Sequence, residues 1–318
     1  MQTILRRRQM ILSAAALGAS AFLLTACGGG GGGTHLDDRR NLMELSESKP
    51  ELSVFVEAVN SAGLRDTLTA SGTNTVFAPN NDAFNALLAE MGTTKDALFA
   101  NKPLLTAVLK YHILGKVMTK DIFPLGEAVE PMAGGFFKIE KQGDAYRVTD
   151  GRNRVTNIVS TDSVALNGVL HVLDRVLLPA DKDIVQTVQV TPGLTTLAAA
   201  IAASDLTDTL KGAGPFTLFA PTDAAFAAVL AELGITQAAL LADKAMLHKV
   251  LSYHVLGTRY LKKNLPPNLP LVTLEGSSFS LNGLQITDER GRLSNITTTD
   301  IFNTNGVIHI IDKVLLPL

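Results

Sequence analysis

Apolar positions along the chain follow two rhythms, and each rhythm occurs twice. Phe84, Leu87, Leu88 and Met91 recur at i, i+3, i+4 and i+7, as do Phe226, Val229, Leu230 and Leu233; that spacing predicts an amphipathic helix with one face against a core. Leu105, Val108 and Leu109 lead at the same spacing to His112, and Leu247, Val250 and Leu251 lead to His254. A further helix therefore carries each histidine on its buried face. Dense runs of Val, Leu and Ile predict buried strands instead. One pair is Thr75–Ala78 and Thr217–Ala220, each stopped by a proline that cannot continue a ladder. The other is longer: Asn167-Gly-Val-Leu-His-Val-Leu-Asp-Arg-Val-Leu-Leu-Pro179 returns as Asn305-Gly-Val-Ile-His-Ile-Ile-Asp-Lys-Val-Leu-Leu-Pro317 with only conservative changes. Each is a turn feeding a buried strand, and the repetition implies two copies of one domain.

Punctuation repeats with the pattern. Asn80 and Thr222 suit helix N-caps, and Gly92 and Gly234 suit left-handed C-caps. Pro50 and Pro192 break the opening helical regions, Leu42 to about Leu68 and Ile184 to about Leu210. From about residue 116 to 178, and from 258 to 316, short apolar segments alternate with Gly, Asp and Asn, which predicts antiparallel strands and an α+β class. The copies are offset by 142 residues through Tyr111-His112 and Tyr253-His254 but by 138 at Asn167 and Asn305, so the second is four residues shorter, in the loops between. Pro179-Ala-Asp-Lys182 is too short a junction for free motion, and the two domains are expected to touch.

The N-terminus is a separate object. Arg6-Arg7-Arg8, an uncharged apolar run from Met10 to Leu24 and then Leu24-Thr-Ala-Cys27 form a signal peptide rather than a membrane span. Leu-Thr-Ala-Cys resembles the bacterial lipobox, in which the cysteine becomes the lipidated first residue; the alternative is an ordinary cut near Ala26. The triple arginine leaves the export route open. Gly28 to Gly33 read as a flexible tether. The expected organisation is 1–27 signal, 28–37 tether, 38–180 first domain and 181–318 second domain.

With 46% hydrophobic and 18% charged residues, 318 positions suffice for two ordinary cores. Loss of the three leader arginines leaves 25 basic against 30 acidic side chains, a net of −5, which disfavours nucleic acid as a partner. Cys27 is the only cysteine, so no intramolecular disulfide forms. Of six histidines, His112, His254, His171 and His309 fall into matched sets, while His35 and His248 have no counterpart. His171 with Asp174, and His309 with Asp312, resemble acid–base pairs, but i and i+3 on a strand point to opposite faces, so both pairs read as structural. No hydrolase, zinc-protease or phosphate-loop motif occurs. The chain is read as not an enzyme, with no cofactor and no metal site.

Phe-Ala-Pro, then Asn80-Asn-Asp-Ala-Phe84 or Thr222-Asp-Ala-Ala-Phe226, then Tyr-His, then the Asn-Gly-Val strand, resemble in this order the fasciclin (FAS1) domain, twice over. Asn80-Asn81 departs from the family's Thr-Asp. The resemblance implies, for each domain, a two-sheet β-sandwich or wedge with helices packed beside it. It implies a role in adhesion or surface attachment, with Tyr111, His112, Tyr253, His254, Asp300 and Ile301 as candidate binding residues; Asp162-Ser163 departs from the Asp-Ile pattern. Together with the lipobox, this describes an exported envelope lipoprotein, at the outer membrane in a Gram-negative host, since Gly28 is not the retention aspartate. Its partner would be a surface, matrix or envelope protein or polysaccharide. The alternative is a carrier of a small apolar ligand of carotenoid or lipid type, in an apolar groove.

Overall fold

The computed structural model describes residues 40–318. The predicted leader, Cys27 and the glycine run lie outside the described residues. The first copy opens with α1 (Leu42–Glu47), α2 (Ser53–Ser61) and α3 (Arg65–Thr69), with a 3-10 turn at Pro50–Leu52 where the proline predicted a break. β1 (Asn74–Pro79) follows, then α4 (Asn81–Met91), α5 (Lys95–Ala100) and α6 (Lys102–Tyr111). The remaining strands are β2 (Ile113–Leu114), β3 (Ala128–Val129), β4 (Phe137–Gln142), β5 (Ala145–Thr149), β6 (Val155–Ala165) and β7 (Gly168–Leu173).

The second copy repeats this order: α7 (Ile184–Val190), α8 (Thr195–Ala203), α9 (Thr207–Lys211), β8 (Phe216–Pro221), α10 (Asp223–Leu233), α11 (Gln237–Ala242) and α12 (Lys244–Tyr253). Then come β9 (Val255–Leu256), β10 (Pro270–Val272), β11 (Ser278–Asn282), β12 (Gln285–Thr287), β13 (Leu293–Asn303) and β14 (Gly306–Ile311).

Helix ends obey the local chemistry. The Asn80 and Thr222 side chains accept the N–H of Ala83 and Ala225 at 2.8 and 3.2 Å. Gly92 and Gly234 end the same helices at φ 59° and 65°, a conformation that costs a β-carbon-bearing residue energy. The apolar stripe between them buries Phe84 and Phe226, each contributing about 1.5–3 kcal/mol by leaving water.

Each domain holds one seven-stranded sheet, β2-β1-β7-β6-β5-β4-β3 in the first and its equivalent in the second. β1 and β7 are parallel, Asn74 opposite Gly168 through Pro79 opposite Leu173, whereas the other pairings are antiparallel. The 11-residue β6 changes register between Ile158 and Ser160 and again before Ser163. Such bulges bend a strand, so β6 pairs with β7 at one end and with β5 at the other. The two expected sheets are thus two arms of one curled sheet.

β7 lies inside that curl with all six residues buried, which accounts for its continuous apolar run. On one side it meets the helical core of Leu42, Phe55, Phe84 and Leu105; on the other it meets Phe77, Tyr111, Phe137 and Ile139.

The four missing residues are not in a loop. Ile139 opposes Val148 in the first domain and Leu281 opposes Ile286 in the second, so the β4–β5 hairpin has lost two residues from each arm as β11–β12. Removing two per strand keeps every remaining side chain on its original face, which a single deletion would not. Among the described residues no helix is long and apolar enough to cross a membrane.

Candidate functional site

The Tyr-His segment ends α6 and α12, and all four of its side chains are enclosed. Tyr111 donates its hydroxyl to the Phe136 carbonyl at 2.6 Å, and Tyr253 to that of Ser278 at 3.0 Å. Burial raises both phenols, Tyr111 strongly and Tyr253 to about 12. The Leu177 N–H donates to His112 Nε2 at 2.9 Å, so that nitrogen carries the lone pair and Nδ1–H donates to the Val108 carbonyl at 2.8 Å. His254 does the same between Leu315 and Val250 at 2.9 and 2.7 Å. Burial pulls both imidazoles down to about 4, leaving them neutral. They fasten the helix end to the chain leaving β7 or β14. None of the four side chains meets solvent, in line with the buried helix face predicted for the two histidines.

His171 and His309 are equally committed. Each accepts a backbone N–H at Nδ1, from Asp162 or Asp300 at 3.2 Å, and each donates from Nε2 to a carbonyl, Met118 or Tyr260, at 2.8 Å. Asp174 takes both nitrogens of Asn157 at 2.8 and 2.6 Å, and Asp312 those of Asn295 at 2.7 and 2.8 Å. The supposed acid–base pairs therefore serve opposite faces and never meet.

Two further devices recur that motif reading overlooked. Asn167 is more than a turn residue: it accepts the Leu42 N–H at 2.8 Å and donates to the Leu68 and Ala70 carbonyls at 2.8 and 2.7 Å, as Asn305 does with Ile184, Leu210 and Gly212. Gly168 and Gly306 follow because a Cβ there would collide with the carbonyls of Asn74 and Phe216. Asp150 is fully buried and accepts the Arg152, Arg154 and Leu178 N–H groups plus the Arg154 guanidinium at 2.7 Å. Asp288 and Arg292 repeat this arrangement. The signal was Thr149-Asp-Gly-Arg-Asn-Arg154 beside Thr287-Asp-Glu-Arg-Gly-Arg292, a polar match offset by 138.

Asp300 lies elsewhere from the Tyr-His rings, at the junction of the domains. It sits at the β13 bulge with φ 60°, accepts the Lys262 N–H at 2.7 Å and pairs with Lys138 of the first domain at 2.9 Å. Burial pulls the Lys138 ammonium down, but its bonds to Asp300 and Glu140 outweigh that and hold it above an ordinary lysine. Beside this pair Phe136 meets Phe302 edge-on at 4.9 Å, with the Arg259 guanidinium 3.9 Å over the Phe136 ring. Asn153, at φ 63°, exchanges two hydrogen bonds with the Phe302 backbone at 3.2 and 2.6 Å. Leu261 and Val307 complete the apolar patch. Ile301 is half-buried and lines an adjoining cavity of about 370 Å³ with Arg152, Asp181 and Lys182. Among the described residues no group of His, Cys, Asp or Glu is arranged to hold a metal.

The model of the Fasciclin domain matches residues 50–179 and again 192–317. The pig transforming growth factor-beta-induced protein ig-h3 is 31% identical over 262 residues, which span 80% of this chain and 36% of that relative. The chain thus covers little more than a third of the relative's length. Protein sll1483 of Synechocystis is 35% identical over 146 residues, 45% of this chain and 76% of its own length. Among solved structures, the FAS1 domain pair of the insect cell adhesion molecule Fasciclin I aligns with 84% of this chain and 97% of its own at 20% identity and a TM-score of 0.43.

Proposed function

The chain belongs to the fasciclin domain family, and from that premise we propose that it is a tethered interaction module of the cell envelope. It attaches to a surface, matrix or envelope protein or polysaccharide. The observation that carries this reading is the fate of the polar residues: His112, His171, His254 and His309 all spend both ring nitrogens on internal bonds. No nucleophile or free base is left among them for chemistry, so the work falls to the outer faces of a joined domain pair. Export and anchoring rest on the sequence: a basic cap, an apolar run, the lipobox ending at Cys27 and a glycine tether to hold the body off a membrane.

Two strains test the proposal, one carrying Cys27→Ser and one lacking the gene. Both should lose attachment to surfaces or partner cells, and the Cys27→Ser protein should leave the membrane fraction. Unchanged attachment in both strains would sink the adhesion reading. The carrier alternative would use a groove at the junction or beside the Tyr-His helix, where the cavities are about 370 and 510 Å³ and are lined in part by charged Arg152, Asp181, Lys182, Lys102 and Lys110. Mass spectrometry of extracts from purified protein decides it, since a carrier would bring pigment or lipid with it.

A further inference from the structure

The junction has a vacant twin. On the second domain the face that receives the first is built by Arg259 and Leu261, after β9, and by Asp300 and Phe302 on β13. The same positions of the first domain, by the repeat offsets, are Val117, Thr119, Asp162 and Val164. The backbone there is alike: Asp162 has φ 59° against 60° for Asp300, and it accepts the Lys120 N–H at 2.9 Å as Asp300 accepts that of Lys262 at 2.7 Å. What differs is cover. Phe302 is 2% exposed and Val164 60%, with Leu166 two residues on at 65%. The Asp300 side chain is 2% exposed and that of Asp162 22%, with the Lys120 ammonium at 3.8 Å its one lysine or arginine partner among the described residues.

We infer that this face of the first domain, centred on Asp162 and Val164, is an acceptor for another fasciclin-type domain that presents a lysine beside an aromatic ring. The chemistry is that of the filled junction: the ring covers apolar surface that would otherwise stay wet, and the ammonium neutralises a carboxylate as it is buried. The path of the chain agrees. The Leu166 N–H donates to the Arg40 carbonyl at 3.0 Å, as the Thr304 N–H donates to Lys182 at 2.9 Å. Chain therefore enters the first domain beside the open face just as the linker enters the second beside the filled one. A second copy of this chain is the wrong donor. Where the first domain offers Phe136, Lys138 and Asn153, the second has Ser278, Ser280 and Gly291. The inference stands on the junction's geometry, and the attachment assay can fail without touching it.

Grafting the missing donor supplies the test. The full chain carrying Ser278→Phe, Ser280→Lys and Gly291→Asn gains on its second domain the residues that the first domain uses. Gly291 has φ 72°, a region Asn tolerates, and Asn153 already holds its equivalent. The grafted chain should assemble head to tail with rising concentration in sedimentation velocity, while the unaltered chain does not. Adding Asp162→Lys to the graft should stop self-assembly yet leave one-to-one binding to the unaltered chain. Val164→Glu in the unaltered chain should then weaken that binding at least about tenfold. A folded graft that stays monomeric, or assembly indifferent to Asp162→Lys and Val164→Glu, overturns the inference. If the graft does not fold, Asp300→Lys with Phe302→Glu frees Phe136 and Lys138 of the first domain as donor. Self-association of that chain must appear, and must vanish on adding Asp162→Lys.

Discussion

Asp162 and Asp300 occupy the same bulge of the same strand in two domains, at φ 59° and 60°, each beneath a histidine to which it donates its backbone N–H. One carboxylate faces solvent with a loose lysine at 3.8 Å; the other is buried against Lys138 of the neighbouring domain at 2.9 Å. Identical backbone has met two fates, and the difference lies in what stands opposite. The same division runs through the whole pair. Where a side chain holds backbone together, as in Asn167 and Asn305, His112 and His254, or Asp150 and Asp288, the copies agree to within a few tenths of an ångström. Around Asp300, where the domains meet, they part: Phe136 against Ser278, Lys138 against Ser280, Val164 against Phe302. Agreement in these internal bonds marks scaffold, and the differences around Asp300 mark the contact.

The strongest challenge to that rule is the buried carboxylate. Asp150→Ala strips acceptors from three backbone N–H groups and leaves the Arg154 guanidinium facing a vacancy. Such a loss costs about 3–5 kcal/mol. Asp288→Ala should cost the same in the second domain, read from urea unfolding of the full chain at neutral pH. If either copy tolerates the change with a loss under about 1 kcal/mol, agreement between copies no longer identifies scaffold.

That rule also explains what could be read from the chain. Helix faces, caps and the closing strand were legible because each depends on residues near in sequence: Asn80 reaches Ala83, and Gly92 ends the helix it follows. The curl of the sheet was not, because it arises from register shifts in β6 that no composition marks. The Tyr-His pair became a binding candidate through the family resemblance, and its hydrogen bonds make it a clasp that sequence spacing alone did not reveal. The junction escaped notice for the complementary reason. Phe136, Lys138 and Asn153 have no counterparts in the second copy, and the residues they meet on it, Asp300 and Phe302, lie 149 to 166 residues away.

Lys138 sharpens the contrast between contact and scaffold. Lys138→Ala leaves Asp300 buried with only the Lys262 N–H, and should cost about 2–3 kcal/mol at the junction. The loss should separate one unfolding transition into two in calorimetry, since the domains keep their own cores but lose their coupling. Ser280→Ala, at the equivalent free position, should change nothing beyond about 0.5 kcal/mol. Equal effects from both substitutions would mean that the junction contributes nothing.

Acid should then act on both copies alike. His112 and His254 hold folded pKa values near 4, below the unfolded value of about 6.5, so the unfolded chain binds a proton the folded one refuses. Stability is full above pH 6.5 and falls as pH drops toward 4, by about 1.4 kcal/mol per unit per histidine, or about 2 kcal/mol for each domain at pH 5. Urea midpoints between pH 7 and 5 measure it. His112→Gln should flatten the slope of the first domain alone. A slope unchanged by that substitution would assign the acid lability to other groups.

The smallest expected effect is the most delicate test, because it asks whether two different residues do the same job. Asn80 and Thr222 cap α4 and α10 by accepting the N–H of Ala83 and Ala225, at 2.8 and 3.2 Å. Asn80→Ala and Thr222→Ala should each cost about 1 kcal/mol, Asn80 somewhat more because its bond is shorter and asparagine is the stronger cap. Exchanging them, Asn80→Thr with Thr222→Asn, should shift the two domains by a few tenths in opposite directions, since only the cap changes. The next residue breaks the symmetry. Asn81 accepts the Val54 N–H at 3.0 Å and donates to the Pro50 carbonyl, tying α4 to the opening helices, whereas Asp223 accepts from Thr195 and Thr196 at 2.8 and 2.7 Å. Asn81→Asp would remove the donor that reaches Pro50, while Asp223→Asn would keep an acceptor for Thr196. The departure from Thr-Asp in the first copy should therefore be dispensable at position 80 and costly to reverse at position 81. Thermal unfolding of the two single variants, Asn80→Thr and Asn81→Asp, separates the cap from the tie: a lower midpoint only for Asn81→Asp is the expected result, and a drop of equal size for both would make Asn80 more than a cap.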